Sequence, residues 1–98
     1  MAEREITIIR KKTLLNNSIR WNILIDDEVC DNICGGEIKK FNLDSSSHTL
    51  SIHFNDPNIG RVDKVQIPKG NMDFTFHISL SSALMGNTFK SYIKIKQL

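Results

Sequence analysis

The sequence predicts an all-β chain, an antiparallel β-sandwich of seven or eight strands forming one domain over residues 1–98. Three observations lead there. Apolar and polar residues alternate over several short stretches, most cleanly from Met72 to Leu80. That period buries one face of a strand, whereas a helix would scatter the same residues around its circumference. Turn-forming residues recur at regular intervals, and no stretch carries the pattern of a long helix. Such spacing favours a sandwich over a parallel α/β fold. With 40% hydrophobic and 24% charged residues, the composition is that of a globular chain rather than a disordered one.

Glu5 to Arg10 is β-branched and alternating, with Ile6 and Ile8 facing one way and Thr7 and Ile9 the other. Lys11-Lys12 and Asn16-Asn17-Ser18 frame a loop around Leu14-Leu15. Trp21, Ile23 and Ile25 alternate with Arg20, Asn22 and Asp26 in the next strand, and Leu24 leaves its second face only partly wet. Asp tolerates left-handed backbone and bonds its own main chain, so Asp26-Asp27 is read as a hairpin turn. A strand from Val29 to Cys34 follows, and Gly35-Gly36 reads as a second two-residue turn. Ile38 to Leu43 sets Phe41 and Leu43 against Lys40 and Asn42. Beyond the polar loop Asp44–Ser47, Leu50, Ile52 and Phe54 alternate with Thr49, Ser51 and His53.

Asn55 to Gly60 is a run of turn residues. Arg61 to Ile67 reads as a strand with Val65 and Ile67 on one face, ended by Pro68-Lys69-Gly70-Asn71. The Met72–Leu80 strand points Met72, Phe74, Phe76, Ile78 and Leu80 inward. Ser81 to Asn87 fits one helical turn with a serine cap and Gly86 as stop. The last strand, Phe89 to Lys96, points Phe89, Ile93 and Ile95 inward and Lys90, Tyr92, Lys94 and Lys96 outward.

The stretch from Ile19 to Phe54 resembles small bacterial β-sandwich domains of the PEGA-like, Ig-like type. The resemblance rests on Ile25-Asp26-Asp27, on Val29 with Gly36-Glu37, and on Phe41-Asn42-Leu43 leading to His48-Thr49-Leu50. It covers about a third of the chain, mostly through turn chemistry. Asp27 and Ser47 stand where that family usually has glycine. The resemblance implies an Ig-like fold and an accessory role, and most such domains lie outside the cytoplasm.

The net charge of +2 does not by itself imply nucleic acid. No apolar run approaches the roughly 20 residues of a membrane span. The N-terminus lacks the apolar core of a signal peptide, which predicts a cytoplasmic protein. Cys30 and Cys34 on one strand would sit about 13 Å apart at strand rise. A disulfide needs Cα atoms within roughly 7 Å, so free thiols in a reducing compartment are expected, packed as small buried residues.

Asp26, Asp27 and Glu28 form an acidic cluster, but adjacent strand residues point to opposite faces, so the cluster reads as a solvated turn. Asn55 to Gly60 faintly resembles a calcium loop, yet Ile67 stands where the ligating glutamate would be needed. His48, His53 and His77 with the two cysteines lack the second close ligand pair of a zinc site; His53 and His77 would meet only if their strands pair. With no nucleophile elbow, phosphate loop or dinucleotide fingerprint, the sequence points away from an enzyme and calls for no cofactor or metal.

The candidate interaction surface is Lys90, Tyr92, Lys94 and Lys96 together with Arg10, Lys11 and Lys12. The leading expectation is a non-catalytic protein-interaction or accessory module, recognising its partner by surface contact or strand addition, with a homodimer through an edge strand as one form. The alternative is a nucleic-acid-binding β protein that uses the basic strand. Lysines on an edge strand also serve simply to block aggregation.

Overall fold

Backbone pairing sorts the chain into two four-stranded sheets. The structure is a computed structural model that describes residues 3–13, 17–54, 63–85 and 88–98; residues 63, 81–85 and 88–92 are described by backbone alone. The strands are β1 (Glu3–Arg10), β2 (Trp21–Ile25), β3 (Glu28–Ile33), β4 (Ile38–Asp44), β5 (His48–Phe54), β6 (Asp63–Ile67), β7 (Phe74–Met85) and β8 (Thr88–Gln97). One sheet has the order β4-β1-β7-β8 and the other β3-β2-β5-β6. Among the described residues there is no helix, and so none long and apolar enough to cross a membrane.

Alternation locates the core. Ile6, Ile8, Phe76, Ile78 and Ile93 of the first sheet join Trp21, Ile23, Ile33, Leu50, Ile52 and Ile67 of the second in one buried cluster. The inward face expected from Met72 to Leu80 is right at the centre of that stretch and wrong at its ends. Phe76 and Ile78 are buried, while Met72, which precedes the strand, and Leu80 are exposed.

Four expectations are corrected. First, β1 pairs with β4 antiparallel but with β7 parallel, Ile6 opposite Phe74 and Arg10 opposite Ile78. The sheet is therefore mixed. Parallel neighbours need a long connection, and the five intervening strands supply it. Second, Gly35-Gly36 is the expected two-residue turn, closed by the Glu37 N–H donating to Cys34 O at 3.1 Å, but β3 and β4 lie in different sheets, so it carries the chain between sheets rather than closing a hairpin. Gly35 donates its N–H to Asn17 O at 2.8 Å, and a Cβ there would lie 2.9 Å from Asn17 Cα, so the two backbones approach too closely for a side chain.

Third, residues 81–85 form no helical turn. They extend β7, with Ser81 opposite Tyr92 and Met85 opposite Thr88. A full ladder outweighs an isolated turn, whose nucleation is unfavourable. Fourth, Cys30 is exposed and Cys34 only half-buried. Cys30 is the extra residue of a bulge, since Ile23 pairs with Asp31 and Leu24 with Val29. The bulge breaks the alternation on an edge strand and blunts that edge. Both thiols are free. The sequence-predicted loops around Leu14-Leu15 and from Asn55 to Gly60, and the start of the strand expected from Arg61, lie outside the described residues.

Asp26-Asp27 is a hairpin turn, as its chemistry predicts. Both residues have positive φ, 53° and 66°, which is the backbone of a type I′ turn.

Candidate functional site

Period two on β1 places Arg4 and Arg10 on the same face as Ile6 and Ile8, and both arginines are buried, at 2% and 5% exposure. Arg4 donates to Pro68 O at 2.6 Å and to Ser46 O at 2.7 Å. Arg10 donates to Ile19 O at 2.5 Å and Ile33 O at 2.9 Å. Its guanidinium carbon lies 3.6 Å from the Trp21 ring centroid, and Trp21 meets Phe54 edge-on at 6.1 Å. Burial lowers the Arg10 pKa, with Cys34 and Glu37 acting in the opposite direction. Arg10 therefore leaves the candidate surface. Its role is to tie β1 to the chain entering β2 and to the end of β3.

Lys11, Lys94 and Lys96 do come together. In the β7–β8 ladder, Lys94 stands opposite Ser79 and Lys96 opposite His77, and His77 also stands opposite Ile9 on β1. Lys11, His77, Ser79, Lys94 and Lys96 line an open concavity of about 230 Å³ on the outer face of this sheet. The three lysines are exposed, and among the described residues none forms an ion pair. Lys12 is exposed but outside the concavity. Lys90 and Tyr92 continue β8 opposite Ala83 and Ser81; their side chains lie outside the described residues. His77 belongs to this site rather than to a pair with His53, because β5 and β7 lie in different sheets. Among the described residues no group of three side chains is arranged to hold a metal ion.

A second polar cluster was not legible as such. His48 Nδ1 donates to Asp26 Oδ2 at 2.6 Å and Nε2 to Asp44 Oδ1 at 2.8 Å. Two carboxylate acceptors, one for each ring nitrogen, fit an imidazolium. The Thr49 N–H donates to Asp26 Oδ1 at 2.9 Å, and both the Ser46 hydroxyl and its N–H donate to Asp44. Asp44 ends β4 in one sheet, while His48 and Asp26 belong to the other, so the clamp bridges the two. The Ser46 hydroxyl lies 3.3 Å from Nε2, which superficially suggests a serine–histidine–aspartate chain. The geometry denies it that chemistry. Nε2 gives its proton to Asp44, and so does the serine, leaving the ring no lone pair to accept a proton from Ser46.

The bond from His48 and the Thr49 N–H lower the Asp26 pKa. Bonds from Ser46 and then His48 lower that of Asp44 to about 2. The bond to Asp26, with help from Asp44, raises that of His48 against a smaller effect of burial. The signs set a window. The His48 contribution is complete below its ordinary 6.5 and is lost as pH rises through the raised folded value. The carboxylate contribution is complete above the ordinary 3.8 and is lost as pH falls toward about 2. The thermal midpoint is expected to decline on the alkaline side of 6.5, and His48→Gln to flatten that decline. Equal alkaline slopes in the two proteins, followed by circular dichroism, would refute the clamp.

No family model, curated protein or solved structure matches the chain.

Proposed function

We propose that this chain is a non-catalytic interaction module that contacts an acidic protein partner through the basic outer face formed by Lys11, Lys94 and Lys96. The two sheets are read as the halves of an Ig-like, PEGA-like sandwich, a reading supported by the single core that both supply. One observation carries the functional proposal: three exposed lysines, unpaired among the described residues, surround one concavity at the sheet edge that β8 forms. Like charges held together repel, and an acidic surface relieves that repulsion while speeding encounter.

The nucleic-acid reading needs bases to stack on aromatic faces beside the basic groove. Among the described side chains, Trp21 is 5% exposed, with Arg10 over its ring and Phe54 against its edge. Trp21 therefore offers no free stacking platform, while Tyr92, the aromatic of the basic strand, has its side chain outside the described residues. Strand addition along β8, by a partner or a second copy, remains compatible with the same surface.

The test is binding of a glutamate-rich peptide at rising salt. Wild-type affinity is expected to fall steeply as salt screens the contact. The double variant Lys94→Glu/Lys96→Glu is expected to bind at least tenfold more weakly while unfolding within about 0.5 kcal/mol of wild type, since both side chains are exposed. Salt-dependent binding of a single-stranded oligonucleotide, with no binding of the acidic peptide, would replace this reading with the nucleic-acid one.

A further inference from the structure

We infer that the acidic partner also presents one apolar side chain, which seats in the hollow beside the basic concavity between Trp21, Phe54, Ile19 and Leu80; the inference rests on the function proposed above. Two small hollows meet here. One, of about 70 Å³, is lined by Arg10, Trp21 and Leu80, with Lys11, Thr13, Ile78 and Ser79. The other, of about 100 Å³, shares Arg10, Trp21 and Leu80 and adds Ile19 and Phe54. Lys11, Ile78 and Ser79 also line the basic concavity, so apolar and cationic surfaces are continuous.

The chemistry of the lining selects the group. Ile19 and Leu80 stand 48% and 53% exposed on the rim, and the edge-on pair Trp21–Phe54 stands behind them. Single exposed apolar residues are ordinary. Two on the rim of an aromatic-walled hollow leave apolar surface in water that an aliphatic group would cover. Arg10 does not call for an anion here, because its guanidinium is directed to the Ile19 and Ile33 carbonyls and stacked on Trp21. The negative charges of the partner therefore belong at the lysines.

Small-molecule pockets run to roughly 300–1,000 Å³, and each of these hollows taken singly falls below that range. A cavity of about 150 Å³ holds benzene, so spaces of this order suit one branched aliphatic side chain. The occupant is thus a peptide segment in which a residue such as leucine lies next to acidic residues. The acidic run settles on Lys11, Lys94 and Lys96, and the aliphatic group enters beside Leu80.

The experiment titrates the isotopically labelled full chain with two peptides of equal charge: a glutamate peptide interrupted by two leucines, and the same peptide interrupted by two serines. The leucine peptide is expected to bind at least tenfold more tightly. Both should shift the resonances of Lys94 and Lys96, and only the leucine peptide those of Trp21 and Leu80. Leu80→Ser, and Ile19→Ser in the same hollow, should each abolish the leucine advantage and leave the serine peptide unaffected. Equal affinities would overturn the anchor and spare the basic-face reading. Failure of both peptides to bind at low salt would overturn both. Light scattering that shows a dimer lost on Leu80→Ser would make the occupant a second copy of the chain and also overturn the proposal.

Discussion

Phe76→Ala is expected to destabilise the protein by about 3–5 kcal/mol, the usual cost of emptying a phenylalanine site in a core. Phe76 is 1% exposed near the start of β7, opposite Ile8 on one side and Gln97 on the other. Its ring stacks with Phe74 at 6.1 Å, and it belongs to the cluster that both sheets share. Neighbours on two hydrogen-bonded strands cannot move in to fill the space, so the cavity term adds to the lost transfer energy. The loss is large against the roughly 5–15 kcal/mol that holds a domain of this kind together. Urea unfolding should show a lower midpoint with an unchanged slope. The matched control is Leu80→Ala on the same strand and face, expected within about 0.5 kcal/mol because Leu80 is half in water. If both variants behaved alike, the inward face of β7 would be misassigned.

Removing the Arg10 guanidinium is the second large effect. Arg10→Ala is expected to cost about 3 kcal/mol, the sum of two losses. Ile19 O and Ile33 O lose their donor, and a buried acceptor left unpaired costs about 1–3 kcal/mol. The cation over Trp21 contributes about 0.5–2 kcal/mol more. The Ile19 carbonyl is only partly buried, so water can repair that bond, and the total stays below the summed maxima. Arg10→Lys should recover less than half, because an ammonium has neither the planar fork nor the stacking face. Trp21 is the sole tryptophan, so its emission reports the change directly alongside the unfolding curve. An Arg10→Ala variant as stable as wild type would show that both carbonyls are already served by solvent.

Much of the secondary structure was legible because strand burial is a local pattern. β2, β4, β5 and β7 announce themselves by alternation, and the Asp26-Asp27 turn by the tolerance of aspartate for positive φ. The same rule applied to β1 would have found its buried arginines, since Arg4 and Arg10 share the parity of Ile6 and Ile8. Charge obscured that signal, because an arginine is usually assigned to solvent unless carbonyls are known to wait for it. His48 was harder still. Its partners are 22 residues away at Asp26 and four away at Asp44, and they converge only when a turn of one sheet meets the end of a strand in the other.

By itself, then, the sequence determined that the chain is all β, where most strands and turns fall, and which residues form the centre of the core. Those follow from side-chain alternation and turn chemistry, which act over a few residues. The tertiary structure alone decided that β1 runs parallel to β7, that Gly35-Gly36 crosses between sheets, and that of Arg10, Lys11 and Lys12 it is Lys11 that joins Lys94 and Lys96 around one concavity. Strand pairing uses backbone groups that every residue but proline carries alike, so alternation cannot say which strand lies beside which. Long-range packing makes that choice, and with it the choice of which charges become neighbours.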